Sequence, residues 1–318
     1  MKKKVFITRS ILSAGIDLMK DKGFEVEMSS IDRPLTYSEL VEKARHFDAL
    51  ITMLGDRIDA NFLEQNKHLK VISNYAVGFN NIDIEKARSL QIAIGNTPDV
   101  LTEATAEVAL GLMISAARNF HSSQTSAAQG LWRCWSPTDH LGHALSNKTL
   151  GVIGFGRIGH RLAEMASAAF KMRVIYTART LKTNSFNAEK VSMEELLKRS
   201  DFISIHVPLT SDTRKFISER ELGLMKSSVV LVNTSRGEII DQVALIRALK
   251  NKKIFAAGLD VTDPEPLPID SELFLLSNAF ILPHIGSATF EARSEMSLMA
   301  AENVIAGLEG GELKGRVV

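Results

Sequence analysis

A glycine-rich hexapeptide near the middle of the chain has the residue spacing of a dinucleotide-binding turn. It runs Gly154-Phe155-Gly156-Arg157-Ile158-Gly159, directly after an apolar run that predicts a strand and at the start of a predicted helix. The first glycine permits a tight turn, the second lets the backbone approach a pyrophosphate, and the third lets the helix pack against its strand. The free N–H groups of the helix then face the phosphates. This context favours a dinucleotide site over a glycine-rich turn without a ligand.

The next predicted strand ends beside an arginine, where dinucleotide folds usually place an acid. The strand Val174-Ile175-Tyr176 is followed by Arg179 and Thr180, and no carboxylate occurs between Ala168 and Ala188. An acid about 20 residues after the glycine-rich turn would bind the ribose 2′-hydroxyl of NAD. A guanidinium with a neighbouring hydroxyl suits a 2′-phosphate, which an acid would repel. The pattern therefore predicts NADP as the preferred cofactor, with NAD possible.

Three ionisable residues follow later strands of the same predicted sheet. They are Arg236 in Asn233–Gly237, Glu265 in Asp260–Pro266 and His284 in Pro283–Ser287. Open α/β sheets bind ligands at the carboxyl ends of their strands, so we expect these side chains beside the cofactor. Each alone has an ordinary structural interpretation, as a loop arginine, a turn acid or a polar strand end. Together they supply a cation for a carboxylate, a proton donor, and an acid that keeps the donor charged.

Composition and charge limit the alternatives. The 318 residues are 45% hydrophobic and 24% charged, which predicts a globular protein of two domains. With 38 basic and 37 acidic residues, the net charge of +1 is too small to bind nucleic acid or an anionic membrane. The single cysteine, Cys134, excludes an intrachain disulfide and a multi-cysteine zinc site. The longest apolar helical stretch, Ala104 to Ala117, is shorter than a membrane span, and we expect a cytoplasmic protein.

Two series of alternating strands and helices must position these residues. The first hundred residues predict five strands alternating with amphipathic helices, and a second series runs from Thr149 to about Leu282. Such alternation predicts an α/β fold with two doubly wound parallel sheets. A last helix, from Ala288 to Leu308, is expected to return to the first series. We therefore expect one domain of residues 1–99 plus 288–318, with residues 100–287 inserted as a second domain. Capping boxes are predicted at Thr36 with Glu39, Ser192 with Glu195, and Ser218 with Glu221.

An apolar helix and a loop with two tryptophans lie between the two series. The helix is predicted from Glu103 to Phe120, and the stretch from Gly130 to Leu145, with Trp132 and Trp135, fits neither the helix nor the strand period. The sequence offers no burial site within one chain for so apolar a helix and an exposed tryptophan pair. We therefore expect both to cross to a second subunit of a homodimer. The alternative is that the helix packs on its own sheet.

Taken together, these motifs resemble the D-isomer-specific 2-hydroxyacid dehydrogenases over nearly the whole chain. The segments that carry the resemblance are Gly154–Gly159, His206–Thr210, Asn233–Gly237, Asp260–Pro266 and Pro283–Ser287. The resemblance implies a Rossmann-like nucleotide domain inserted into a flavodoxin-like substrate domain made of both chain ends. It also implies that Arg236 binds a 2-oxo acid and that His284 is an acid/base paired with Glu265.

The resemblance assigns further binding residues. Val77 and Gly78, in Tyr75–Asp83, match the segment whose backbone N–H groups bind the substrate carboxylate. The expected cofactor site contains the glycine-rich turn, Arg179 and Thr180. The resemblance adds other positions that line the cofactor in the family. These further positions are Thr105, His206, Pro208, Thr234, Asp260 and Gly286.

Within the family, Tyr176–Thr180 is similar to the NADP-using glyoxylate/hydroxypyruvate reductase branch. This implies reversible reduction of a small 2-oxo acid to the D-2-hydroxy acid. Two departures from the family pattern point to a different substrate. Thr262 stands where the family often has an aromatic residue, and Asp139 with His140 replaces a bulky aromatic of that branch. Both would widen or repolarise the pocket, so a sugar-derived acid such as 2-ketogluconate is an alternative substrate.

Other functional classes have weaker support. Some relatives act as corepressors that bind NAD(P)H without turnover, but they carry disordered extensions, and here the expected fold accounts for nearly all of the chain. A long phosphoglycerate dehydrogenase would append a regulatory domain. A zinc alcohol dehydrogenase needs more than one cysteine. His140 and His143 form a possible metal pair with no clear third ligand, so we expect no metal.

Overall fold

The computed structural model describes residues 2–318, which divide into two units. The first unit comprises Met1–Leu101 with Ser287–Val318, and the second comprises Thr102–Gly286. The second unit thus lies within the sequence limits of the first. Each unit contains one sheet whose strands are all parallel, so the predicted α/β class with two parallel sheets is confirmed.

The sheet of the first unit has five strands. They are β1 (Lys4–Ile7), β2 (Glu25–Met28), β3 (Ala49–Thr52), β4 (Val71–Asn74) and β5 (Ala93–Gly95). The helices between them are α1 (Ser13–Asp21), α2 (Tyr37–Ala44), α3 (Ala60–Gln65) and α4 (Ile84–Ser89). The strand order β2-β1-β3-β4-β5 is that of flavodoxin-like sheets. β3 and β4 are buried along their whole length, as strands covered on both faces must be.

The sheet of the second unit has seven strands. They are β6 (Thr149–Ile153), β7 (Arg173–Thr177), β8 (Glu189–Lys190), β9 (Phe202–Ile205), β10 (Val230–Asn233), β11 (Ala256–Leu259) and β12 (Ala279–Ile281). The helices are α5 (Thr102–Ala117), α6 (Phe120–Ala128), α7 (Arg157–Phe170), α8 (Met193–Arg199), α9 (Glu219–Leu224) and α10 (Gln242–Lys250). The order β12-β11-β10-β9-β6-β7-β8 extends the dinucleotide-binding order, with its switch point between β6 and β9. Because all strands are parallel, their carboxyl ends share one edge.

The apolar helix predicted from Glu103 to Phe120 is two helices. α5 ends at Ala117, and Asn119 has a left-handed φ of 55° that separates it from α6. α5 packs in the core of its own unit, mainly against β10, β11 and α7. The argument that this helix lacks a burial site is therefore wrong. Exposed apolar side chains do occur in the segment after α6, including Trp132 at 75% and Trp135 at 82%.

The helix ends largely follow the sequence signals. All three predicted capping boxes are present, at Thr36, Ser192 and Ser218. The last helix, α11 (Phe290–Glu309), packs within the first unit against α1 and β4. The two-residue strand β8 was not predicted, because so short a run has no periodicity. None of the helices in residues 2–318 has the length and apolarity needed to cross a bilayer.

Candidate active site

The glycine-rich turn adopts the strand–turn–helix geometry that its spacing predicts. Gly154 follows β6 with a φ of +92°, and a Cβ there would lie 2.7 Å from the backbone carbonyl of His206. Only glycine tolerates both conditions. Gly156 is the N-cap of α7 and has no side chain to cap the first N–H groups. The start of α7 thus has no capping side chain at this position, as a phosphate site at a helix N-terminus requires.

The residues around this turn fit a nicotinamide dinucleotide. The turn and His206 follow β6 and β9, the two strands that flank the switch point. Thr234, after β10, has a buried hydroxyl with no hydrogen-bond partner among residues 2–318. A buried hydroxyl without a partner costs free energy unless a ligand or water binds it. The N–H groups at α7 and this hydroxyl are polar groups that a dinucleotide would satisfy.

His206 is held as a neutral imidazole. Burial lowers its pKa to about 4, because the charged form loses solvation. Its Nε2 atom lies 2.8 Å from the hydroxyl of Ser204, two residues earlier on β9. The neighbouring Pro208 uses its carbonyl to accept from Thr213 at 2.6 Å. Sequence reasoning identified His206 and Pro208 but not Ser204, whose hydroxyl resembles any other strand serine.

The loop after β7 presents Arg179 and Thr180 at the surface. Arg179 makes no ion pair with any carboxylate of the described chain. The loop is held by Tyr176, which is fully buried and whose hydroxyl accepts from the Lys182 N–H at 3.0 Å. Lys190 also donates to the Arg179 carbonyl at 3.3 Å. The Arg179 guanidinium therefore does not pair with an acid of the described chain, as an anion-binding role requires.

Arg236 lies in a loop built by its neighbours after β10. The Asn233 side chain donates to the Arg236 carbonyl at 2.8 Å and accepts from the Ser235 N–H at 3.0 Å. The guanidinium is half-buried and donates to the Ser235 carbonyl at 2.6 Å. Burial lowers the pKa of Arg236, against the opposing charges of Glu265 and Glu238. An arginine does not lose its proton at physiological pH, so a desolvated cation stands here.

Glu265 and His284 form a hydrogen-bonded pair. The Oε1 atom of Glu265 is bonded to Nδ1 of His284. The loop of Glu265 is braced by the Thr262 hydroxyl, which donates to the Pro264 carbonyl at 2.9 Å. The Asp263 N–H also donates to the Gln242 side chain at 3.0 Å. Since Glu265 also acts electrostatically on Arg236, the three predicted catalytic residues lie close together.

Asp260 supports the backbone on which His284 stands. His284 has a left-handed φ of 54°, and its N–H donates to the Asp260 carbonyl at 2.9 Å. The Asp260 carboxylate accepts from the N–H groups of Ile285 at 2.7 Å and Gly286 at 2.8 Å. Burial raises the pKa of Asp260, against those bonds and the nearby imidazole. A Cβ on Gly286 would lie 3.0 Å from this carboxylate and 3.4 Å from Thr105, so a larger residue would be crowded there.

The first unit holds the other predicted binding segment, in the loop after β4. Val77 and Gly78 are half-buried, and no group in residues 2–318 accepts a hydrogen bond from either N–H. Asn74 and Asn96 donate to carbonyls of this loop at 2.8 Å. Sequence reasoning missed both asparagines. Asn96 lies 19 residues from the carbonyl that it contacts, so no local spacing identifies it.

Comparisons with known proteins agree with this geometry. Residues 110–286 match the family model described as D-isomer specific 2-hydroxyacid dehydrogenase, NAD binding domain. Glyoxylate reductase of Thermococcus litoralis is 46% identical over 98% of this chain and 95% of its own length. The crystal structure of the TT0316 protein of Thermus thermophilus superposes with a TM-score of 0.93, at 42% identity over 99% of this chain and 100% of that one. The chain therefore belongs to the D-isomer specific 2-hydroxyacid dehydrogenase family.

A further solved structure was obtained with ligands. It is the NADPH-dependent glyoxylate/hydroxypyruvate reductase of Sinorhizobium meliloti in complex with NADP and malonate. It superposes with a TM-score of 0.87 at 26% identity, covering 100% of this chain and 97% of that one. The ligands of that enzyme are a nicotinamide dinucleotide and a small dicarboxylate.

Proposed function

We propose that this protein reduces a small 2-oxo acid, such as glyoxylate or hydroxypyruvate, reversibly to the D-2-hydroxy acid. The observation that carries the proposal is the bond between Glu265 and His284, with the desolvated Arg236 close to Glu265. A carbonyl reduction needs a proton donor and a cation for the substrate carboxylate. The relationship to the Thermococcus litoralis glyoxylate reductase supports the choice of a small substrate.

Each catalytic side chain has a distinct role in this proposal. When bound, the nicotinamide cofactor supplies the hydride for the carbonyl carbon. Arg236 binds the carboxylate and holds the 2-oxo group in one orientation. His284 donates a proton from Nε2 to the developing alkoxide, and takes it back in the oxidation direction. Glu265 stabilises the charged imidazole and holds the ring through Nδ1.

The two units have separate roles in the proposal. Residues 1–99 with 288–318 form the substrate-binding domain, where the N–H groups of Val77 and Gly78 bind the carboxylate. Residues 100–287 form the dinucleotide-binding domain. Its proposed cofactor residues are Thr105, Gly154, Phe155, Gly156, Arg157, Ile158, Gly159, Arg179, Thr180, His206, Pro208, Thr234, Asp260 and Gly286.

NADPH is the proposed preferred cofactor. The exposed Arg179 and Thr180 have no acidic partner in the described chain and suit a 2′-phosphate. The NADPH-dependent enzyme of Sinorhizobium meliloti shares the fold and was crystallised with NADP. NADH would bind without the contribution of Arg179 and remain a weaker alternative.

A small substrate is favoured over 2-ketogluconate by one contact. Thr262, the residue that departs from the family pattern, is buried, and its hydroxyl donates to the Pro264 carbonyl. That donor hydrogen is therefore not offered to the hydroxyls of a sugar acid. Of the two departures that suggested a sugar acid, this contact accounts for Thr262, while Asp139 and His140 are exposed.

A steady-state panel tests the proposal. Glyoxylate, hydroxypyruvate and 2-ketogluconate are each assayed with NADPH and with NADH, and kcat/KM is compared. We expect the highest value for glyoxylate or hydroxypyruvate with NADPH. A highest value for 2-ketogluconate would favour the sugar-acid reductase. Cofactor binding with no turnover of any of the three would favour a sensing protein.

A further inference from the structure

Three consecutive carbonyls of the loop after β4 are held by hydrogen bonds from residues outside it. The Ala76 carbonyl accepts from the N–H of Thr97 at 2.9 Å. The Val77 carbonyl accepts from the side-chain amide of Asn96, and the Gly78 carbonyl from that of Asn74, each at 2.8 Å. No two of these three bonds share a donor, so each peptide unit is held separately.

Holding these carbonyls also aims the N–H groups that follow them. A trans peptide is planar, and its C=O and N–H point in opposite directions. The bonds to the three carbonyls therefore direct the N–H groups of Val77, Gly78 and Phe79 away from the donors that hold them. None of these three N–H groups donates to an acceptor in residues 2–318. Successive free N–H groups of this kind form a concave site for an anion.

The Asn96 amide is itself rigidly placed. The Asn96 N–H donates to the Gly315 carbonyl at 2.8 Å, and the Asn96 carbonyl accepts from the side chain of Asn303 at 2.9 Å. Asn303 lies on α11 and is fully buried, while Asn96 is 8% exposed. The backbone on both sides of the Asn96 side chain is thus bonded. The backbone of Asn96 is therefore fixed in position, and its side-chain amide donates to the Val77 carbonyl from there.

The Asn74 amide is held on its acceptor side. Its Oδ1 atom accepts from the Thr52 hydroxyl at 3.0 Å, and Asn74 is fully buried at the end of β4. Asn81 donates to the same oxygen at 3.3 Å. These bonds orient the Asn74 side chain so that Nδ2 faces the Gly78 carbonyl.

We infer that Asn96 and Asn74 are positioning residues for the substrate carboxylate, because they aim the N–H groups of Gly78 and Phe79. The inference rests on the proposed function and goes beyond it, since the only residues of this loop given a role above are Val77 and Gly78. Donors that are already oriented bind an anion without a cost of reorganisation. A merely structural role, in which the amides only satisfy buried carbonyls, would leave carboxylate affinity unchanged.

The test compares Asn96→Leu with a matched control, Asn66→Leu. Leucine has a similar volume and no donor. Asn66 is a buried asparagine of the same unit, whose amide donates to the Phe62 carbonyl at 3.1 Å and does not contact the loop. The dissociation constant for oxalate is measured by titration calorimetry at saturating NADPH, together with KM and kcat for glyoxylate. Asn96→Ala, which removes the donor without adding a charge, serves as a second variant if the leucine variant does not fold.

We expect both Asn96 variants to raise the oxalate dissociation constant and the glyoxylate KM by about 10-fold to 100-fold, the range for one lost oriented bond. The expected fall in kcat is smaller, and NADPH binding should be unchanged. Asn74→Leu should act in the same direction. Asn66→Leu should lower the melting temperature without changing either constant.

Two results would overturn the inference. One is an unchanged oxalate dissociation constant in a folded Asn96 variant. The other is an equal increase in Asn66→Leu, which would show a general effect of destabilising the unit. A wild-type protein that binds oxalate, loses it in the Asn96 variants and still fails to reduce any 2-oxo acid would support the inference while contradicting the proposed reductase activity.

Discussion

The bond between Nδ1 of His284 and Oε1 of Glu265 leaves Nε2 as the ring nitrogen that can exchange a proton with a substrate. The two nitrogens of an imidazole are distinct, and the partner of one determines the role of the other. The side chains are 29% and 41% exposed, so the pair is accessible from solvent. The direction of the ring is set by the left-handed backbone of His284 and the Asp260 bonds beside it.

Replacing the acid of this pair should change the pH dependence of catalysis. Reduction requires the protonated imidazole and oxidation the neutral one, so reduction should decline on the alkaline side while oxidation rises there. Glu265→Gln keeps the shape and removes the charge that stabilises the imidazolium. The alkaline limb of kcat/KM for glyoxylate reduction should therefore move to lower pH. Asp270→Asn, which removes an exposed charge of the same unit that does not contact His284, is the control. Superimposable profiles for wild type and Glu265→Gln would contradict the acid/base assignment.

Removing the desolvated cation should reduce activity without unfolding the protein. Arg236→Ala should lower kcat/KM for glyoxylate by about 30-fold to several thousand-fold, since losing one partner of a desolvated charge pair costs about 2 to 5 kcal/mol. Arg247→Ala removes an arginine that pairs with Glu219 at 3.3 Å on the surface of the same unit. That control should keep full activity. If Arg236→Ala also keeps it, the substrate carboxylate binds elsewhere.

Reversing the charge after β7 should separate the two cofactors. Arg179→Asp should weaken NADPH binding by about 10-fold or more and change NADH binding much less, because only NADPH carries the 2′-phosphate. Arg173→Asp makes the same charge change at the exposed start of the same strand. A direct binding titration with both cofactors measures the difference. Equal losses for NADPH and NADH, or equal losses in the two variants, would exclude Arg179 as the phosphate partner.

The partly buried His206 should make stability depend on pH. Its folded pKa of about 4 lies below the ordinary value of 6.5, so the unfolded chain binds more protons between these values. Stability should therefore be complete above pH 6.5 and fall as the pH drops towards 4. His206→Gln should remove about 2 to 3 kcal/mol of the loss between pH 7.5 and 4.5. Urea unfolding of both proteins at the two pH values measures it. The same loss in both proteins would show that other groups cause it.

The exposed tryptophans should mediate a homodimer. Trp132 and Trp135 stand in a segment without regular structure, where large apolar side chains commonly mark an interface. Light scattering at micromolar concentration should give twice the chain mass of 35.0 kDa. The double variant Trp132→Ser, Trp135→Ser should shift the mass towards the monomer, whereas Ile269→Ser, a change at an exposed residue elsewhere, should not. A monomeric wild type would end this prediction.

Sequence patterns predicted what local spacing determines and missed what distant contacts determine. The glycine-rich turn and the capping boxes follow from neighbouring residues, and the structure has them where the spacing places them. The break at Asn119 was missed because a left-handed residue leaves the apolar pattern of α5 and α6 uninterrupted. The asparagines that donate to the carbonyls of Val77 and Gly78 were missed because only the fold brings their partners close. Asn303 and Asn96, for example, are 207 residues apart.

The packing of α11 has a consequence for how the protein is made on the ribosome. This helix covers α1 and β4 of the first unit, and its Ser297 accepts from the Gly15 N–H at 3.0 Å. The residues of the second unit are all translated before it. In the segment that is synthesised first, the part of the sheet that α11 covers thus stays exposed until that helix has been made. The order in which the two units can be completed is the reverse of the order in which they begin.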